Sequence, residues 1–313
     1  LRMRDVQHPQ TAHEFATIVG DRERLDMLTL LTWADTVSVG EGVWSPAQEH
    51  LLEVLHSRTA LTLEGDAPPP SDPAVYRKRL LRELRNEDVP SEEVQAFLES
   101  LSAHYLVCTP PDVVKLHIGF ERRARQGEPI VSFHHEPDLG TTDLTVCCLD
   151  APGLLSQVLG VLYALDISLT GIRASTTRTE QPVAVDQFTT SFGERPIPPG
   201  TCRTLAATLQ SVLKGELVVA DFLRSHGKDP ERPQQTFSYT FLEGAPGILE
   251  VRAPRGKGMA YRFTRQISLA GWNIAAARVG QWAGSGAAAF YLFGPDERPL
   301  TREEVEAVVG RQV

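Results

Sequence analysis

Cysteine is scarce in this chain of 313 residues, with only Cys108, Cys147, Cys148 and Cys202. None forms a Cys-x-x-Cys pair, and no His stands at zinc-finger spacing from them, which argues against a disulfide framework or a structural zinc scaffold. No run of about 18 apolar residues occurs, and the first residues lack the basic start and apolar stretch of a secretory signal. The reading is therefore a cytoplasmic protein without a membrane partner. Positive charge is also short, with 31 Lys and Arg against 40 Asp and Glu, a net charge of -9 and a pI near 5.5. That balance argues against a nucleic-acid partner, because general affinity for phosphate backbones comes from Lys and Arg. No Ser-His-Asp arrangement on a nucleophile elbow is evident.

What is present is the composition of a folded protein: 42% hydrophobic and 23% charged residues. The length exceeds what one core usually covers, so two or three domains are expected. The chain opens on Leu1 within a helical pattern, which is the expectation for a piece of a longer protein.

From His13 to Thr36, Phe15, Ile18, Val19, Leu25, Leu28, Leu31 and Ala34 recur at three- and four-residue spacings, predicting amphipathic helices broken near Gly20-Asp21. A turn at Gly40-Glu41-Gly42 precedes a helix from Ser45-Pro46 to about Leu61. The string Gly65 to Pro70 can only be loop, and helices resume over Asp72 to Arg85 and Ser91 to Leu101. After a composition shift at Gln126 to Gly140, strand and helix alternate twice. Strands are expected at Asp143–Leu149, Ile167–Thr176 and Val183–Phe192, with helices at Gly153–Leu165 and Gly200–Lys214. The same order returns with strands at Gly247–Ala253, Trp272–Val279 and Ala287–Phe293 and helices at Gly258–Ala270 and Thr301–Val309, an internal repeat of roughly 100 residues.

The most informative string is Leu149-Asp150-Ala151-Pro152-Gly153-Leu154-Leu155-Ser156, where a strand hands over to a helix. Pro152 suits a first helical turn, and Gly153 allows close approach by a ligand or another backbone. Amide groups at a helix start can hold a carboxylate, while Asp150 offers an acceptor for an ammonium group; together they suit a free amino acid. The alternative is that Asp150 only caps the helix.

With its later Val185-Asp186-Gln187-Phe188, this module resembles the ACT family of small regulatory, amino-acid-binding domains. Asp150 to Leu155 meet its Asp-x-Pro-Gly-Leu-Leu pattern and Asp186 to Phe188 its Asp-x-Phe. The resemblance implies an α+β chain in which an all-α N-terminal segment precedes two βαββαβ ferredoxin-like ACT domains. Ligand-binding residues would be Asp150, Pro152, Gly153, Leu154 and Asp186. The second module departs from the pattern, with Arg255 at the acidic position, Lys257 at the proline position before Gly258, and Ala288-Ala289-Phe290 in place of Asp-x-Phe. It serves packing, or it takes a more anionic ligand through Arg255, Lys257 and Gly258.

In the helical half, Leu25 to Asp35 followed by Gly42-Val43-Trp44 looks like the distal end of an HD domain, and is similar to that region of the PII uridylyltransferase/uridylyl-removing family. Arg4-Asp5, Phe15-Ala16, His104-Tyr105-Leu106 and Gly247 to Val251 are further matches. The resemblance divides the chain into 1–125, a partial HD-like domain; 126–140, a linker; 141–226, a first ACT domain; and 236–313, a degenerate second one. It implies a regulatory portion in which glutamine or another small amino acid, sensed at the ACT modules, switches uridylylation and deuridylylation of the PII signal protein in nitrogen metabolism. A homodimer through the ACT domains is a further implication. A transferase of this class needs Gly-Ser followed by Asp-x-Asp to hold two metal ions. Gly284-Ser285 has no such sequel, and no His-Asp dipeptide occurs to complete an HD site, in which Asp35 would match only the final metal ligand. The expectation is no cofactor in this chain, with Mg2+ or another divalent metal in the full-length parent. Two other readings stand beside it: a ligand-independent ACT pairing module, and part of an HD phosphohydrolase whose remaining residues lie upstream.

His8 with His13, and His134-His135 beside Glu136, are read as solvated, since adjacent residues on a strand point apart. Cys147 and Cys148 alternate on a strand, so one is expected in the core and the other out of it.

Overall fold

The computed structural model describes residues 6, 9–38, 46–65, 73–84, 89–193, 195–231, 236–254, 258–282 and 285–310. The turn at Gly40 to Gly42, Ser45 and the stretch Asp66 to Pro70 lie outside them, as do Arg4-Asp5 and Val43-Trp44. Among the described residues no helix is long and apolar enough to cross a membrane. Two compact units separate: Leu1–Ile118 with Pro137–Gly140, and Gly119–Glu136 with Thr141–Val313.

The first unit is helical: α1 (Pro9–Val19), α2 (Arg22–Ser38), α3 (Pro46–Leu63), α4 (Pro73–Glu83), α5 (Ser91–Ser100), α6 (Ala103–Cys108) and the start of α7 (Pro111–Arg125). Gly20 separates α1 from α2 with φ of +85°, a conformation that L side chains rarely adopt. Phe15, Val19, Leu25, Ala60 and Leu63 pack α1 to α3 together. The expected amphipathic stripe does not hold along α2, where Leu28, Leu31 and Ala34 are exposed. Apolar residues run all round this helix, including Met27, Leu30 and Trp33, so one packed side leaves the others uncovered. A second cluster gathers Tyr76, Leu80, Phe97, Leu98, Tyr105, Leu106, Val114 and Ile118 from α4 to α7. Inside it the buried hydroxyl of Tyr105 meets His117 Nδ1 at 2.8 Å.

The second unit holds one antiparallel sheet of eight strands, completing an α+β chain with a helical N-terminal part. Its first half is β1 (Ile130–Glu136), β2 (Thr141–Leu149), α8 (Leu154–Ala164), β3 (Ser168–Arg173), β4 (Val183–Ser191), α9 (Pro199–Leu213) and α10 (Val219–Ser225). The second half repeats the order with β5 (Ser238–Leu242), β6 (Gly247–Pro254), α11 (Met259–Leu269), β7 (Asn273–Trp282), β8 (Ser285–Phe293) and α12 (Arg302–Val309). The sheet runs β1-β2-β4-β3-β7-β8-β6-β5, so the halves mirror each other and join where Ile172 of β3 faces Ala277 of β7.

Two expectations are corrected here. Residues 126–140 are not merely a linker, because β1 lies within them and pairs with β2 from Ile130 opposite Cys147 to Glu136 opposite Thr141. Among the described residues the first repeat runs ββαββαα and the second ββαββα, where βαββαβ was the expectation: the strand beside β2 comes from before it in the chain, and α9 is followed by α10. The polar tail Ser132-Phe-His-His-Glu136 hides β1 from a reading by hydrophobicity, and its hydrogen bonds to β2 make it a strand.

Leu144, Val146 and Cys148 on β2, with Ala184 and Phe188 on β4, face the helices. α8 is buried nearly all round, through Leu154, Val158, Leu159, Val161 and Leu162, because α9, α10 and α11 all pack against it. Burying each such side chain contributes about 1.5–3 kcal/mol. Cys147 points to the opposite face, where Ala124, Ile130, Val183 and Val185 form a smaller core with Phe120. Both cysteines are therefore buried, contrary to expectation, because the sheet is covered on both faces at this point. Burial pushes both thiols up, Cys148 to about 12.

Candidate functional site

The string Asp150 to Leu154 folds as a tight turn at the end of β2. Leu154 N–H donates to the carbonyl of Ala151 at 3.1 Å, and Gly153, between them, has φ +81° and ψ 3°. These are the angles of the third residue of a type II turn, for which proline is favoured just before and glycine is required. Pro152 thus belongs to the turn and not, as expected, to the first helical turn; the left-handed Gly153 is the cap that precedes α8. Ser156 reaches back and donates its hydroxyl to the Gly153 carbonyl at 2.8 Å. Gln157 N–H donates to the same carbonyl, so the amides ahead of Gln157 precede the helix's own ladder.

Asp150 does not cap α8, whose N-cap residue is Gly153. Asp150 as a whole is exposed, while its carboxylate is partly desolvated and accepts hydrogen bonds from the Ala151 amide and the Thr176 side chain. Desolvation nonetheless holds its pKa above the usual range, with those two bonds pulling the other way. Asp186 lies on β4 opposite Val146, on the side of the sheet that faces the helices, and is 4% exposed. Its Oδ1 accepts the Ser175 amide at 3.3 Å. Burial, then the charge of Asp150, push the Asp186 pKa up to about 8, against a smaller opposing effect of that amide. The fold therefore brings the two predicted acidic residues within electrostatic reach of each other beside the Gly153 turn. Leu154 is placed differently: its side chain is part of the core beneath α8.

Ser175 and Thr176, which serve the two carboxylates, were not singled out by the sequence reading. The only signal was the hydroxyl-rich run Ala174-Ser-Thr-Thr177 at the end of a strand, and what it pairs with is set by the Thr176–Ala184 bridge to β4.

In the second repeat, Gly258 repeats the geometry of Gly153, with φ +75° and ψ 2° ahead of α11. Arg255 and Lys257 lie outside the described residues, as do His8 and Gly284. The Tyr163 ring stands against Gly258, whereas the nearest side-chain atoms to a methyl group at Gly153 would be the hydroxyls of Ser156 and Ser268 at 3.6 Å.

Asp35 is exposed near the end of α2, with its carbonyl accepting from Ser38 at 2.8 Å. Among the described residues no three His, Cys, Asp or Glu side chains are grouped to hold a metal ion. His134 bonds Glu136 at 3.0 Å and His135 bonds Thr142 at 2.9 Å, so the two rings do not converge.

Residues 142–200 match the ACT domain family. The chain is also similar to bifunctional uridylyltransferase/uridylyl-removing enzymes. With that of Cereibacter sphaeroides it is 28% identical over 96% of its own length and 33% of the relative's. With those of Ruegeria pomeroyi and Gluconobacter oxydans it is 28% and 27% identical over 92% of its length, covering 33% and 32% of theirs. It thus spans about a third of the length of the curated relatives it matches. No solved structure matches it. The chain carries an ACT domain, and along nearly its whole length it is a relative of a part of the bifunctional uridylyltransferase/uridylyl-removing enzymes.

Proposed function

We propose that this chain is the amino-acid-sensing portion of a uridylyltransferase/uridylyl-removing enzyme, with glutamine as the ligand. One observation carries the reading: the Pro152-Gly153 turn presents the start of α8 beside Asp150, with Asp186 buried behind it. A helix start favours a carboxylate, and an aspartate favours an ammonium group, so the turn offers both halves of a free amino acid their complement. In this reading the bound ligand biases uridylylation and deuridylylation of the PII signal protein by the full-length enzyme, and so links nitrogen status to that signal. Mg2+ or another divalent metal then belongs to catalytic domains outside this chain, where Asp35 would be at most one ligand.

The experiment is calorimetric titration of L-glutamine into the whole chain, with L-glutamate and other amino acids as controls. Saturable binding selective for glutamine is expected, and Asp150→Ala is expected to abolish it while the fold survives by circular dichroism. A folded Asp150→Ala protein that binds glutamine normally would sink the assignment.

A second reading, a pairing module that needs no ligand, is favoured by one observation: β3 and β7 join the two repeats edge to edge within one chain. β1 and β5 remain at the sheet's edges, and exposed edges permit pairing with another copy. Light scattering distinguishes the readings, since pairing requires a dimer whose population is indifferent to glutamine.

A further inference from the structure

α8 and α11 pack so that the glycine ahead of each helix meets the far end of the other repeat's helix: Gly153 faces Ser268, and Gly258 faces Tyr163. The two places are equivalent in the fold but differ in what fills them. At Gly153 a methyl group would find nothing closer than two serine hydroxyls at 3.6 Å. At Gly258 it would stand 2.6, 2.8 and 2.9 Å from three carbons of the Tyr163 ring. The ring is held there from several sides. Lys228 Nζ lies 5.1 Å from its centroid and is itself tied to Asp166 at 2.7 Å, the Arg262 guanidinium lies 5.9 Å away, and Tyr261 stacks at 6.3 Å. Cations over a ring and a stacked neighbour all favour this position over one swung clear. Ser268, by contrast, makes no side-chain hydrogen bond among the described residues and keeps its hydroxyl available at the rim of the first turn.

We propose that the pair of repeats takes one ligand, at the Gly153 turn with Ser268 of the second repeat on its rim, and that Tyr163 fills the equivalent place at Gly258, ahead of α11. This rests on the amino-acid-sensing reading above. At both helix starts glycine serves close approach, but the approaching group differs: a ligand in the first repeat, and an aromatic ring of the protein itself in the second.

Calorimetry of the whole chain with L-glutamine is expected to give one site. Ser268→Cys gives a labelling probe, because the four native cysteines are buried. Its reaction with iodoacetamide is expected to slow severalfold under saturating L-glutamine, while that of Leu269→Cys, at the exposed neighbouring position, is unchanged. Tyr163→Ala is expected to speed hydrogen exchange at the Met259 and Ala260 amides by about tenfold, and Tyr163→Phe, which keeps the ring, to leave it as it is. Two glutamine sites per chain, Ser268→Cys labelling indifferent to glutamine, or unchanged exchange in Tyr163→Ala would each overturn the proposal and leave the sensor reading standing. Absence of binding by any amino acid would overturn both.

Discussion

Tyr163, one residue from the end of α8, places its ring where a β-carbon on Gly258 would lie, and Gly258 is the residue that caps α11 in the other repeat. Gly153 has the same left-handed backbone without such a neighbour. The pair separates two costs that usually come together, backbone strain and overpacking.

Gly258→Ala is therefore expected to destabilise the second unit more than Gly153→Ala. Holding alanine in a left-handed conformation costs about 1–3 kcal/mol at either site. At Gly258 alone the ring must also shift, adding roughly 1–3 kcal/mol of overpacking. Urea denaturation of both variants measures the difference; equal losses would show that Tyr163 yields freely.

Gly160, in the middle of α8, carries a similar constraint from α10. A methyl group there would lie 2.4 Å from Val219 Cγ1 and 3.2 Å from Tyr261. Gly160→Ala is expected to lose about 1–3 kcal/mol through overpacking, despite alanine's better helix propensity. Adding Val219→Ala should recover part of that loss, and a double-mutant cycle reads the coupling.

Asp186 links stability to pH with a definite sign. Its folded pKa of about 8 lies above the ordinary value of 3.8, so between those limits the folded state holds a proton that the unfolded state releases. Its contribution then falls as pH rises from about 4 to about 8 and is flat beyond. Asp186→Asn, which keeps the shape and an acceptor for the Ser175 amide, should gain on the natural protein across that window. Urea melts of both at a series of pH values test this, and parallel curves would refute it.

The last helix is tied down by its cap. Thr301 Oγ1 accepts the Glu304 amide at 3.4 Å, and Glu304 accepts the Thr301 amide at 2.9 Å. The Arg298 guanidinium, first, and that amide hold the Glu304 carboxyl down at about 2. Thr301→Ala is expected to cost about 1 kcal/mol, seen as a lower midpoint of urea unfolding at an unchanged slope.

The sequence by itself determined the elements whose signal is local. Apolar spacing located α8, α9 and α11, Gly153 marked a place of close approach where a strand hands over to a helix, and the repeat of strand, glycine and helix exposed two related modules. Asp150 and Asp186 were marked through the resemblance to the ACT pattern, the first in Asp-x-Pro-Gly-Leu-Leu and the second in Asp-x-Phe. What only the tertiary structure decided depends on partners distant in the chain. β1 is a strand because β2 offers it a hydrogen-bonding edge, and Cys147 is buried because α7 covers the second face of the sheet. Asp186 is a strongly perturbed acid because the fold closes over it beside Asp150. Tyr163 and Ser268 carry no motif at all. Their places follow from how two helices from different repeats pack, a relation that no local pattern encodes.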